Sequence, residues 1–281
     1  MTRAKGIDIS HWKVVNDWQK VYESGVRFVG IKATEGLTYL DPDLRKNREA
    51  VRRQPFLLTI YYHFARPGSA RKQAERLVDA IGALRDNERL CLDLEGAGPT
   101  PEDPRRAIDW INEFYDSLHA GVHDRRPLMY TSNRIWGTIG DPEWSLASGV
   151  DLWVPRYSRK EPVLPKPWRK LQVGQEIEVT WSGQWVMGKI SRTDETLGMI
   201  AVASVTLDGK PVDANIGIDI DRHPEGENVI WRRVRPGWTI WQWTDGVDPE
   251  IHVTPGVAGS GRCDANYFYG DEATLAAYAR L

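Results

Sequence analysis

The sequence predicts an α/β fold, an eight-stranded barrel interrupted by a small all-β domain. Three observations predict it. Short apolar runs alternate with helical patterns through the first half of the chain. Two more strand-like runs return near the C-terminus. Between them lie about seventy residues without helical periodicity.

The strands of the first half are "GIDIS" (6–10), "RFVGIKATEG" (27–36), "FLLTIYYHFARP" (56–67), "RLCLDLEG" (89–96), "RPLMYTSN" (126–133) and "DLWVPRYS" (151–158). Each is rich in β-branched or aromatic residues and bounded by Gly, Pro or polar residues. Helical patterns lie between them. "LDPDLRKNREAVRR" places Asp41 as N-cap and Pro42 as first helical residue. "TPEDPRRAIDWINEFYDSLHAG" opens with Thr100 and Pro101 and stops at Gly121. Alternating helices and near-continuous apolar strands predict a parallel sheet covered by helices. "WTIWQWTDG" (238–246) and "GRCDANYFYG" (261–270) follow without obvious helices between them, and a short helix starts at Asp271. Eight strands with helices mainly after the first five give a TIM-like (β/α)5(β)3 barrel.

From about Val163 to Arg235 the pattern changes to short strands and tight turns, with "LDGK" as a hairpin signal. This predicts three segments: 1–162 as the first part of the barrel, 163–235 as an inserted small β domain, and 236–281 as the last strands and C-terminal helix.

The bulk composition excludes several function classes. The chain has 281 residues and a formal net charge of −2, so it has no electrostatic case for nucleic acid as partner. No apolar run is long enough to span a bilayer, and "MTRAKGIDISHWK" lacks a secretory apolar run. The two cysteines, Cys91 and Cys263, form no disulfide framework and are expected as buried thiols. Thirteen Trp residues suit either cores or stacking on sugar rings.

The chemistry concentrates at strand ends. In "RLCLDLEGAGP", Asp93 and Glu95 share one face of a strand, with Leu92 and Leu94 on the other. Both lie at its C-terminal end, where barrels of this type carry their active sites. Asp8, Glu35 and Asp264 end other strands, as do Tyr62, Tyr130, Trp153, Tyr157 and Gln242. A lone strand-end acid is usually a cap or ion-pair partner, but several acids and aromatics converging on one rim point to a site. Clustered carboxylates raise one another's pKa and leave one protonated to act as an acid, which suits glycoside hydrolysis. The chain has no H-E-x-x-H or Cys/His metal spacing, no G-x-S-x-G elbow and no P-loop, so neither metal nor cofactor is expected.

The ordered motifs "KGIDISHW", "FVGIKATEG", "YYHFARP", "LCLDLEG", "LMYTSN", "LWVPRY", "IWQWTDG" and "CDANYF" resemble the glycoside hydrolase family 25 lysozymes, the Chalaropsis-type N-acetylmuramidases, over about 1–160 and 237–281. The resemblance implies cleavage of the β-1,4 bond between N-acetylmuramic acid and N-acetylglucosamine in peptidoglycan. It implies Glu95 as general acid/base and Asp93 as the carboxylate that helps the substrate's 2-acetamido group attack. Asp8 and Asp264 match the family's other rim acids, and Tyr62 its tyrosine near the reacting sugar. Glu35 lies in a matching motif, with a salt-bridge role an equal alternative. Trp153 and Trp241 are candidate sugar contacts, with a core role the alternative.

The insert departs from the family, and "VGQEIEVTWSGQWVMGKI" resembles an SH3-like barrel in which Trp181 and Trp185 form either a recognition surface or a core. The expected partner is bacterial peptidoglycan, with no membrane insertion and a monomeric state. The expected setting is a bacteriophage lysin made in the host cytoplasm, reaching the wall through a holin or from the virion. A chitinase-type signature would need Asp at 88 and 91, where this chain has Glu88 and Cys91. The remaining alternative is a non-catalytic cell-wall-binding or virion structural protein on a hydrolase-like barrel.

Overall fold

The computed structural model describes residues 3–95, 99, 103, 105–121, 127–138, 150–157, 173–174, 176–181, 184–194, 199–207, 210–211, 216–219, 231–233, 239–244, 256–257 and 261–280. The chain divides into two compact units, Met1–Pro162 with Thr239–Leu281, and Val163–Trp238.

Five strand–helix steps open the first unit. β1 (Lys5–Ile9) leads to α1 (Trp18–Glu23). β2 (Val26–Glu35), with its hairpin partner β3 (Tyr39–Leu40), leads to α2 (Leu44–Val51). β4 (Leu58–Phe64) precedes α3 (Ala70–Ile81), β5 (Glu88–Leu94) precedes α4 (Arg105–Gly121), and β6 (Leu128–Thr131) precedes α5 (Asn133–Thr138). β7 (Asp151–Pro155) closes this stretch. The second unit then contributes β8 (Glu176–Trp181), β9 (Gln184–Asp194), β10 (Met199–Leu207), β11 (Lys210–Pro211), β12 (Ile216–Asp219) and β13 (Trp231–Arg233). The first unit resumes with β14 (Ile240–Thr244), the hairpin β15 (Gly256–Val257) and β16 (Gly261–Arg262), then β17 (Asp264–Phe268) and α6 (Glu272–Tyr278).

Strands β1-β2-β4-β5-β6-β7-β14-β17 hydrogen-bond in that order, and β17 returns to β1, so the sheet closes into an eight-stranded barrel. Closure removes the sheet edges that would otherwise invite pairing with other chains. All neighbours are parallel except β17, which is antiparallel to both β14 and β1. The expected parallel sheet fails only there. Parallel pairing needs a crossover, usually a helix, and none lies between β14 and β17 among the described residues.

Local chemistry sets the helix starts. Asp17, Ser69 and Asp271 each accept the backbone N–H three residues on, capping α1, α3 and α6. α3 buries Ala70, Gln73, Ala74, Leu77 and Ile81, the spacing of one helical face. Asp41 does not cap α2. That helix begins at Leu44, and the Asp41 carboxylate is taken by the N–H groups of His11 and Asp43 and by the His11 ring. α4 begins at Arg105; Thr100 and Pro101 lie outside the described residues. "GRCDANYFYG" is two strands rather than one, because β16 pairs with β15 and only β17 joins the barrel.

One end of the barrel is plugged. Leu275, Tyr278 and Ala279 pack with Phe28, Leu58, Cys91 and Phe268, and the buried Arg89 donates to the Ala279 carbonyl at 2.8 Å. This is the end where the parallel strands begin, which leaves the opposite mouth open.

The second unit is a six-stranded antiparallel sheet, β11-β10-β9-β8-β13, with β12 on β10. It has its own core, built by Ile177, Val179, Val186, Ile190, Ile200, Val202, Val205 and Ile218. Leu207 pairs with Lys210 across the Asp-Gly step of "LDGK". The side chains of Trp181 and Trp185 lie outside the described residues.

Candidate active site

Strand alternation sends every second side chain into the barrel. β1 contributes Asp8, followed by Ser10. β2 contributes Lys32, β4 Tyr62 and Phe64, and β5 Asp93, with Glu95 one residue past its end. β6 adds Tyr130, β7 Trp153, β14 Gln242 and β17 Asp264; with Tyr157 these residues line a cavity of about 200 Å³ at the open mouth. Gly30 makes room for this layer. A Cβ there would lie 2.6 Å from the Trp153 ring and 2.8 Å from Asp8 Cβ.

Register brings the acids together. Asp93 stands opposite Phe64 and Tyr130, and Asp8 opposite Gly30 and Asp264. Asp8 is buried and its Oδ2 accepts from Asn266 Nδ2 at 2.7 Å and Gln242 Nε2 at 3.0 Å. Both amides are themselves oriented. Gln242 Oε1 accepts from Tyr130 at 2.7 Å and Tyr157 at 3.2 Å, and Asn266 Oδ1 accepts from Trp153 Nε1 at 2.8 Å. The Tyr62 hydroxyl donates to the Ile9 carbonyl at 3.1 Å.

Burial pushes the Asp8 carboxyl up, while the amide donors pull against it. Asp264 is pushed up to about 9, first by burial and then by the charge of Asp8; Lys13, 3.5 Å away, opposes the shift. A group so shifted is protonated at neutral pH and donates to Asp8. Asp93 lies well above the ordinary carboxylate range because it is buried and because Glu95 is beside it. Glu95 is exposed at the mouth, yet packed walls on its inner side and the charge of Asp8 raise it too, against a hydrogen bond shared with Asp93. Neither makes an ion pair with another described residue, and Asp93 Oδ1 is buried with no hydrogen-bond partner.

Of the residues singled out in the sequence, Asp8, Tyr62, Asp93, Glu95, Tyr130, Trp153, Gln242 and Asp264 come together in the cavity wall. Glu35 and Trp241 do not. Glu35 is held by Lys32 and Arg66, each at 2.6 Å; burial pushes its pKa up, but the hydrogen bonds from these two cations prevail and lower it. Trp241 is buried on the other face of β14, donating to the Arg156 carbonyl at 2.8 Å, because its neighbour Gln242 takes the inward position. Sequence reasoning missed Ser10, Lys32, Phe64 and Asn266. A signal was present for Asn266, two residues after Asp264, by the same alternation that pairs Asp93 with Glu95. Among the described residues no group of three or more His, Cys, Asp or Glu is placed to hold a metal ion, and no helix is long and apolar enough to cross a membrane.

The model of the family described as "Glycosyl hydrolases family 25" matches residues 7–178, more than half of the chain. The chain belongs to glycosyl hydrolase family 25. It is 31% identical over 170 residues to lysozyme M1 of Streptomyces globisporus, a match covering 57% of this chain and 57% of that protein's length. It is 29% identical over 176 residues to the N,O-diacetylmuramidase of Chalaropsis, covering 58% of this chain and 83% of that protein. Among solved structures, the bacterial lysozyme of Streptomyces coelicolor shares the fold with a TM-score of 0.65 at 22% identity, covering 100% of this chain and 98% of that one. The open mouth of the barrel is therefore the candidate active site of a family 25 glycoside hydrolase.

Proposed function

We propose that this family 25 hydrolase cleaves the β-1,4 bond between N-acetylmuramic acid and N-acetylglucosamine in peptidoglycan. The observation that carries this reading is the Asp93–Glu95 pair, raised in pKa and without an ion-pair partner among the described residues. Glu95 stands at the mouth, where it reaches a glycosidic oxygen and protonates it as the C1–O bond breaks. Asp93 lies deeper, and its unpaired Oδ1 accepts the N–H of the sugar's 2-acetamido group. The acetamido oxygen then bonds to C1 in place of the leaving sugar. Water opens that ring, giving a proton back to Glu95. An N–H bond to Oδ1 favours the charged form of Asp93, against the upward push that burial and the neighbouring Glu95 give its pKa.

Purified peptidoglycan incubated with the protein should lose turbidity and gain N-acetylmuramic acid reducing ends, and Glu95→Gln should abolish both. Reducing ends on N-acetylglucosamine would overturn the bond assignment. No release from several peptidoglycan types would favour the non-catalytic wall-binding alternative.

Two narrower readings belong to the same proposal. The separate apolar core of the second unit supports an SH3-like small barrel, tested by solving that unit at high resolution. The setting is a bacteriophage lysin released through a holin or carried on the virion; immunoblots of purified virions and co-expression with a holin separate the two routes.

A further inference from the structure

We propose that the rim beside β1 and β2 carries a second sugar-binding surface, a ledge of Trp12, His11 and Tyr39 that holds the glycan strand outside the cavity. This rests on the peptidoglycan reading above and extends it.

Trp12 is 79% exposed, the largest value among the exposed large apolar side chains of the described residues. Exposure alone says little, since single apolar residues are common on surfaces. Its setting says more. The His11 ring lies 4.3 Å from the Trp12 ring and 6.0 Å from Tyr39, so the three form a row. The row is fixed from beneath. His11 Nδ1 is 2.9 Å from Asp41 Oδ2 and 3.0 Å from the Tyr39 hydroxyl, and the His11 backbone N–H donates to the same Asp41 oxygen at 3.1 Å. Asp41 is buried, so one carboxylate clamps the turn after β1 to the β3 hairpin.

The row is continuous with the cavity. Ser10, in the cavity wall, accepts the Trp12 backbone N–H, and the Lys32 ammonium, also in the wall, lies 5.6 Å from the Tyr39 ring. Leu37 and Leu40, each 44% exposed, flank Tyr39 in the same hairpin.

The occupant follows from size and chemistry. A cavity of about 200 Å³ is smaller than pockets that enclose drug-sized ligands, so most of a glycan strand must lie along the rim. A pyranose presents C–H groups on one face, and the electron-rich face of an indole attracts them. His11, held by Asp41 and Tyr39, gives the Trp12 ring a fixed surface to pack on, which limits the freedom lost on binding.

The test compares peptide-free peptidoglycan glycan strands with short fragments of the same glycan. Binding is measured by calorimetry on the full chain carrying Glu95→Gln, alone and combined with Trp12→Ala or Trp12→Phe. Trp12→Ala should weaken long-strand binding about tenfold and short-fragment binding much less, and Trp12→Phe should restore most of the loss. Equal long-strand affinity with and without Trp12→Ala overturns the ledge, and so does an equal loss for long and short glycans. In either case reducing-end release by the unaltered protein leaves the peptidoglycan reading standing. If the unaltered protein neither cuts nor binds glycan, both fall.

Discussion

Strand β5 carries a carboxylate at each end, and the two ends have opposite fates. At its start Glu88 is buried and fully answered. Arg52 approaches both oxygens at 2.6 Å, Tyr61 donates at 2.8 Å, and the Arg85 backbone N–H donates at 2.9 Å. Burial pushes its pKa up, but the Arg52 hydrogen bonds and the other donors prevail and lower it. At the other end Asp93 is also buried, has a second acid for a neighbour and leaves one oxygen without a partner, so burial first and Glu95 next push its pKa up. Burial is common to both ends; the partners decide the sign. At the plugged end the acid is tied to a cation and serves stability, whereas at the open end Asp93 keeps one oxygen unpartnered beside a second acid, the environment a general acid would need.

The largest expected effect separates the ends by activity. Glu95→Gln should lower kcat about a thousandfold, the scale of losing a general acid, with Tm little changed. Retained activity would break the comparison. Glu88→Gln should do the reverse. It should leave kcat near normal and cost about 3 kcal/mol, seen as a lower urea midpoint; the value sits at the low end for a broken buried pair because Arg52 is partly open to water.

Gly30→Ala tests the packing between Trp153 and Asp8. Forcing a methyl into that contact should cost about 2 kcal/mol and displace Asp8, so both Tm and activity fall. The smallest effect is a matter of pH. The pKa of Asp264 is raised to about 9 on folding, so the native state binds more protons than the unfolded one between about pH 4 and 9, and this group's contribution falls as pH rises through that window. Asp264→Asn keeps a donor toward Asp8 and removes the titration. Because Asp264 is partly open to water and titrates together with Asp8, the gain should be only a few degrees in Tm at pH 8, and it should vanish as pH drops toward 4. Glu88 has the opposite slope. With its pKa lowered on folding, its stabilisation is present above the unfolded value and lost in acid. A Tm profile of Asp264→Asn parallel to that of the unaltered protein would show that the open end carries no such penalty.

Much of the site was legible because strand geometry is local. Period-two alternation places Asp93 and Glu95 together, and the motif "GAGP" marks the strand end. The same rule finds Asn266 once Asp264 is taken as inward. It does not tell which of Trp241 and Gln242 faces inward, since both suit a strand and only closure of the ring against β7 and β17 chooses. Asp41 illustrates the other failure. Its sequence context is that of a helix cap, but His11, thirty residues earlier, competes for the same carboxylate and holds it.

The amino-acid sequence by itself determined the strand–helix order and the placement of acids at strand ends, because each follows from patterning within a few neighbouring residues. The tertiary structure alone decided that β17 runs antiparallel beside β1, that Lys32 and Arg66 claim Glu35, and that Asp93 keeps one buried oxygen without a hydrogen-bond partner. Those outcomes depend on pairings between distant segments, and a carboxylate's charge state is set by whatever the folded chain brings within a few ångströms of it.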